Sequence, residues 1–162
     1  MTNPQMNLLY NQGREREAYA ASRALIVRQP WADRILDGSK IWEIRGSATN
    51  VRGRIGIIPA RSKTVSGYCN LVEVRGPLSL SELLQTVGLH GISREELLRE
   101  GLPYPCTYAW IMEKPKKLDR PTAYNHPSGA IIWVRLHSDK EPQSGGDHSS
   151  PEENEETSSF PS

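Results

Sequence analysis

The residues best equipped for chemistry crowd into one stretch, Arg28-Gln-Pro-Trp31-Ala followed by Gly38-Ser-Lys40-Ile-Trp-Glu43-Ile-Arg45. A lysine taken out of water can lose its proton and serve as a base or nucleophile. A nearby glutamate could hold or protonate it, so Lys40 and Glu43 form the candidate catalytic pair. Arginine offers a flat fork of donors that matches a phosphate. An aromatic ring offers a face on which a splayed base can stack. Arg28, Trp31, Lys40 and Arg45 are therefore candidate nucleic-acid-binding residues, joined by Arg52, Arg54, Arg61 and Lys63 around the strand that follows.

Each residue also has a plainer role. Trp31 fits a core position wedged between a helix and a sheet, and Trp42 shares a strand face with Ile44. Glu43 and Arg45 stand two apart and would make a simple ion pair, and the four cations further on would be a solvated loop surface.

Stronger catalytic signatures are missing. The sequence contains no Gly-x-x-x-x-Gly-Lys-Ser/Thr phosphate loop, no Gly-x-Gly-x-x-Gly after the first strand, no Gly-x-Ser-x-Gly and no His-Glu-x-x-His. His90, His126, His137 and His148 have no ligand spacing, so neither a metal nor another cofactor is expected.

The elements that must position these groups are mostly strands. Residues 24–29 form an apolar run of strand length that Pro30 ends. A helix over 30–37 follows, pairing Trp31 with Ile35 and Ala32 with Leu36, and Gly38 stops it. Residues 40–45 alternate in steps of two, which predicts Lys40, Trp42 and Ile44 on one face and Ile41, Glu43 and Arg45 on the other. On that parity Lys40 and Glu43 meet only if a bulge intervenes.

Further strands are read at 53–59, 68–74, 107–113 and 130–136. Ser79-x-x-Glu82 and Ser93-x-x-Glu96 fit the capping box and start short helices near 80–87 and 94–100, which Gly88 and Gly101 would stop. Six short strands without regular βαβ alternation predict an α+β domain on a mostly antiparallel β-barrel, with short flanking helices.

Charge divides the chain further. Residues 23–136 carry 17 Lys or Arg against 10 Asp or Glu, a net +7, whereas 137–162 carry −6 and 1–22 are neutral. All four Trp lie between 31 and 133. The expected organisation is a polar extension over 1–22, one folded domain over 23–137 and a disordered acidic tail over 138–162. A basic block suits a polyanionic partner through its summed field. Two cysteines, Cys69 and Cys106, are too few for a disulfide framework. Neither a membrane span nor a signal peptide is read in the sequence, so a cytoplasmic location without membrane contact is the expectation.

The spacing Gln29-Pro-Trp-Ala32, Ile35-Leu36, Gly38-x-Lys40 and Glu43-x-Arg45 resembles the signature of the ASCH domain, the activating signal cointegrator homology family of PUA-like fold. The similarity continues through Gly53-Arg54, Ser66-Gly67, the strand 108–112 and the strand 131–136. It implies an RNA- or nucleotide-binding protein whose basic cleft centres on Lys40 and Arg45. Some relatives of this type are amidohydrolases acting on N4-acetylcytidine and some are ribonucleases, which makes a hydrolase the alternative. In the amidohydrolase pattern the lysine works with a threonine three residues on and a later glutamate. Here Glu43 stands in place of the threonine, and Glu73 is the nearest strand candidate for the glutamate. A protein-interaction module, with the acidic tail docking on a partner or on the cleft, is the third reading.

Overall fold

In a computed structural model of the chain, residues 21–136 are described. The expected acidic tail and nearly all of the polar extension lie outside them. The elements run β1 (Arg23–Val27), α1 (Trp31–Leu36), β2 (Trp42–Arg45), β3 (Gly53–Pro59), β4 (Thr64–Arg75), α2 (Leu80–Gln85), α3 (Val87–His90), α4 (Arg94–Glu100), β5 (Tyr108–Ala123) and β6 (Trp133–Arg135).

The strands form one sheet in the order β2-β5-β4-β3-β1-β6. Four neighbouring pairs are antiparallel. The exception is β1 with β3, which run parallel because α1 and β2 form the crossover between them.

The expected barrel is in fact a curled half-barrel of mixed sheet. It stays open because β2 and β6, its edges, are only four and three residues long and have no ladder between them. Curvature comes from irregularities in the β4–β5 ladder at Val65/Gly67, Tyr68/Asn70 and Leu71/Glu73, since an unpaired residue bends its strand.

Apolar side chains form three clusters. Leu25, Val27, Ile55, Ile57, Leu71 and Trp110 bury one sheet face under Ala32, Ile35 and Leu36 of α1. Trp42, Ile44, Ala109 and Ile111 pack on Leu83, Ile92 and Leu97 from the helical segment. Ala24, Ile58, Val65, Tyr68 and Val134 close the third.

Several boundaries move for identifiable reasons. Pro30 caps α1 rather than opening it, and the Asp33 N–H donates to Gln29 Oε1 at 3.2 Å, so the glutamine side chain satisfies an end donor. Gly38 stops the helix as expected, with φ +83°. Gly88 does not stop α2; it lies inside α3, and the left-handed turn falls at Gly91, φ +80°. Lys40 and Ile41 do not belong to β2. Their N–H groups donate to Arg34 O and Leu89 O, which ties them to α1 and α3 and removes them from the strand's two-residue alternation.

Candidate functional site

A cavity of about 510 Å³ opens where the C-terminal ends of β1, β2 and β3 meet the helical segment. Its floor is ionic and buried. Lys40 and Glu43 are 3% and 6% exposed, unusually low for charged residues. Lys40 Nζ donates to Trp42 O and His90 O, both at 2.7 Å, and lies 3.5 Å from Glu43 Oε2. Glu43 Oε1 accepts from Arg45 Nε at 3.1 Å, and Arg45 Nη2 donates to Ile26 O at 2.7 Å. One carboxylate thus joins two cations, and each cation is also anchored to backbone.

No bulge is needed for Lys40 to reach Glu43. Because Lys40 precedes the strand, its side chain is free of β2's parity and turns beneath Glu43.

Aromatic faces back both cations. Lys40 Nζ sits 4.8 Å from the Trp31 ring centroid, and the Arg45 guanidinium sits 5.6 Å from that of Trp110. Trp31 is half-buried, packs against two of the apolar clusters and also lines the cavity, so its two readings coexist. Burial lowers the Lys40 ammonium pKa from its ordinary 10.5, and the Glu43 charge opposes that shift. Beside it, the buried His90 ring is held through both nitrogens. Nδ1 accepts from the Ile92 N–H at 3.0 Å, which leaves Nε2–H to donate to Leu83 O at 2.8 Å. Burial also lowers the pKa of this imidazole from 6.5.

Arg28 stands exposed at the mouth. The sequence-predicted residues Arg28, Trp31, Lys40, Glu43 and Arg45 therefore share one cavity. Arg52 and Arg54 line a separate cleft, while Arg61 and Lys63 sit exposed in the β3–β4 turn with positive φ and line neither. Trp42 is a core residue of the helical cluster. Glu73 lies exposed on β4, paired with Arg75 at 3.0 Å, and is not among the residues lining the cavity.

Sequence reasoning missed the opposite wall. Glu96 and Glu100 of α4, with Tyr104 and Ile131, complete the lining, so three carboxylates face three cations and the cavity is not net basic. A signal for Glu96 existed in its capping pattern. Ser79 and Glu82 form the full reciprocal box, whereas Ser93 accepts from the Glu96 N–H without the return bond, leaving that carboxylate for the cavity.

Among the described residues no group of His, Cys, Asp and Glu could hold a metal ion, and no helix is long and apolar enough to cross a membrane.

The family model described as "ASCH domain" matches residues 25–122. The ASCH crystal structure from Zymomonas mobilis is similar at 18% identity and a TM-score of 0.55, covering 71% of this chain and 87% of that one. A tyrosine-to-phenylalanine mutant of the same bacterial protein gives 19% identity, a TM-score of 0.54, and coverage of 71% and 89%. A comparison with curated proteins finds no match. At these identities the structural likeness concerns the fold.

Proposed function

The chain belongs to the ASCH domain family, of PUA-like fold, and from that premise we propose that it binds RNA or a nucleotide, with one base in the cavity above Lys40, Glu43 and Arg45. The buried ionic floor is the observation that carries this reading. Charged groups are costly to desolvate, and a fold that needed only stability could fill the same space with apolar side chains. The cavity's 510 Å³ falls within the roughly 300–1,000 Å³ usual for small-molecule sites.

Glu43 and Arg45 present an acceptor and a donor to the hydrogen-bonding edge of a base, and Trp31 and Tyr104 supply ring surface. Arg28 at the mouth is placed for the attached phosphate. Calorimetric titration with nucleoside monophosphates and short single-stranded RNA tests the reading. Binding should weaken in Arg28→Ala and Arg45→Ala. An absence of binding tighter than about 10⁻⁴ M, the weak end of non-specific nucleic-acid affinity, would reject it.

A second reading, hydrolysis of an acylated base such as N4-acetylcytidine, is favoured by the lowered Lys40 pKa and its carboxylate neighbour. With its proton passed to Glu43, the Lys40 amine would take a proton from a water as that water attacks the acyl carbon, and would return it to the base nitrogen as the C–N bond breaks and acetate leaves. The alteration at the threonine position and the surface location of Glu73 weigh against it. Acetate release from N4-acetylcytidine by the wild type, abolished in a folded Lys40→Ala, would establish it; no release from either would dispose of it.

A further inference from the structure

At the other end of β1 lies a second cleft of about 370 Å³, lined by Ser22, Arg23, Asn50, Val51, Arg52 and Arg54. It differs from the Lys40 cavity in having no acidic side chain in its lining. Arg23 stands directly opposite Arg135 of β6 in the antiparallel ladder, and like charges in that arrangement repel. Among the described residues none of Arg23, Arg52, Arg54 and Arg135 makes an ion pair, and Glu73 on β4 acts on Arg52 only through its field.

Two of the four are already held in place. Arg52 Nη1 donates to Thr49 O and Val51 O at 2.8 and 2.7 Å. The Arg54 guanidinium lies 5.4 Å from the Tyr68 ring centroid, and its Nε is buried with no hydrogen-bond partner. Three guanidinium groups in one cleft with a fourth across the ladder from it, none of them in an ion pair among the described residues and two pre-oriented, suit an anion.

The cleft is also linked to the cavity. Trp133 of β6 is two residues from Arg135, on the same strand face, and its cross-strand partner is Leu25. Its ring stacks on Trp110 at 5.6 Å and 14°, and Arg45 of the cavity floor lies over Trp110. Arg28 lies five positions beyond Arg23, which at about 3.3 Å each sets the two sites about 17 Å apart.

We propose that the arginine cleft holds backbone phosphates of a single-stranded RNA that leaves the Lys40 cavity along the β1–β6 edge, so that the ligand is an oligonucleotide. This rests on the cavity reading above. At about 3.4 Å per stacked nucleotide, about five nucleotides are needed to reach from one site to the other.

The test uses the full chain, uridine monophosphate and oligouridylates of two to eight nucleotides, titrated between 50 and 200 mM salt. Affinity should step up near five nucleotides. The double variant Arg23→Gln/Arg135→Gln should keep its mononucleotide affinity and lose the step. Its salt slope for the eight-mer should be shallower by about 1.4, about a sevenfold difference across that salt range, since each lost single-strand phosphate contact removes about 0.7. The variant relieves a like-charge pair, so its melting temperature should not fall; Arg52→Gln, on the exposed loop, provides a second variant.

If the eight-mer binds no better than the monophosphate, or the variants keep wild-type affinity and slope, the proposal fails while the cavity reading survives. If monophosphate and oligomers alike fail to bind, both readings fail. If inorganic tripolyphosphate occupies the cleft and the oligomers do not, the site is one for free polyphosphate and the RNA track is wrong.

Discussion

Lys40 is held as an ammonium by two carbonyl oxygens and a carboxylate, in a setting whose burial works against its charge. It is thus a structural tie as well as a candidate ligand contact. Replacing it with methionine keeps the stem but strands Glu43 with Arg45 alone and leaves Trp42 O and His90 O without that donor. Breaking a buried pair from one side costs about 3–5 kcal/mol, so Lys40→Met should lose about 3 kcal/mol in urea unfolding. A loss below about 1 kcal/mol would mean water already reaches the site. His90 adds a pH dependence whose sign is fixed. Its folded pKa lies below the unfolded 6.5, so the unfolded chain takes up the proton first and stability falls as pH drops from 6.5 toward the folded value. The slope is at most about 1.4 kcal/mol per pH unit for this one proton. Asp37, Glu73 and Glu82 are held by hydrogen bonds below their ordinary 3.8–4.5 and titrate outside that window. His90→Gln, which can still accept and donate, should flatten the slope in urea midpoints measured from pH 7.5 to 5; an unchanged slope would place its source elsewhere.

The two serine caps separate stability from binding at the scale of elements. Ser79 and Ser93 each accept an N–H at the start of a short helix, and losing such a cap costs about 1 kcal/mol. The α4 helix capped by Ser93 contributes Glu96, Leu97 and Glu100 to the cavity, whereas α2 contributes none of its lining. Ser79→Ala and Ser93→Ala should therefore lower the melting temperature similarly, and only Ser93→Ala should also weaken nucleotide binding. Equal affinities in the two variants would detach α4 from the site. Gly67 marks another constraint. A Cβ there would fall 2.5 Å from Lys116 O and 2.6 Å from Leu36 Cδ2, so Gly67→Ala should cost about 1–3 kcal/mol by overpacking in a denaturant titration. Most elements were legible because two-residue and helical periodicities, capping serines and glycine stops are local signals. What escaped was set by neighbours. The outer half of β5 carries Pro115 and Pro121, which discourage a strand reading, yet β2 pairs only as far as Ile111 and beyond it one side of β5 has no strand partner. A proline ring is tolerated there because no ladder bond is demanded of it. Lys40 departs from its expected face for a related reason: periodicity describes a strand, whereas the Lys40 N–H is bonded to α1 and that of Ile41 to α3.

For the molecule as a whole, the sheet's curl gathers the ends of three strands around one cavity, while Arg23, Arg52 and Arg54 gather at the opposite end of β1. The spacing of Gln29, Lys40, Glu43 and Arg45 made the cavity's ionic floor readable in the sequence. Its acidic wall was not readable, because Glu96 and Glu100 come from a helix far along the chain whose approach is decided by packing of Leu83, Ile92 and Leu97 on Trp42 and Ile44. The balanced lining means that the net +7 of residues 23–136 acts through the wider field rather than at the Lys40 cavity. On the proposed RNA reading, residues 138–162, whose seven carboxylates are covalently tied to this basic block, should compete with RNA phosphates at a fixed local concentration. Removing them should raise affinity for an oligouridylate at about 50 mM salt, with a faster association rate. The gain should fade near 1 M, where the Debye length is about 3 Å. Stopped-flow and equilibrium titrations of full-length and truncated chains check both halves of this. A truncation that binds no more tightly at low salt would show that the acidic segment does not oppose the domain's field, and one whose gain persists at high salt would point to a contact other than charge.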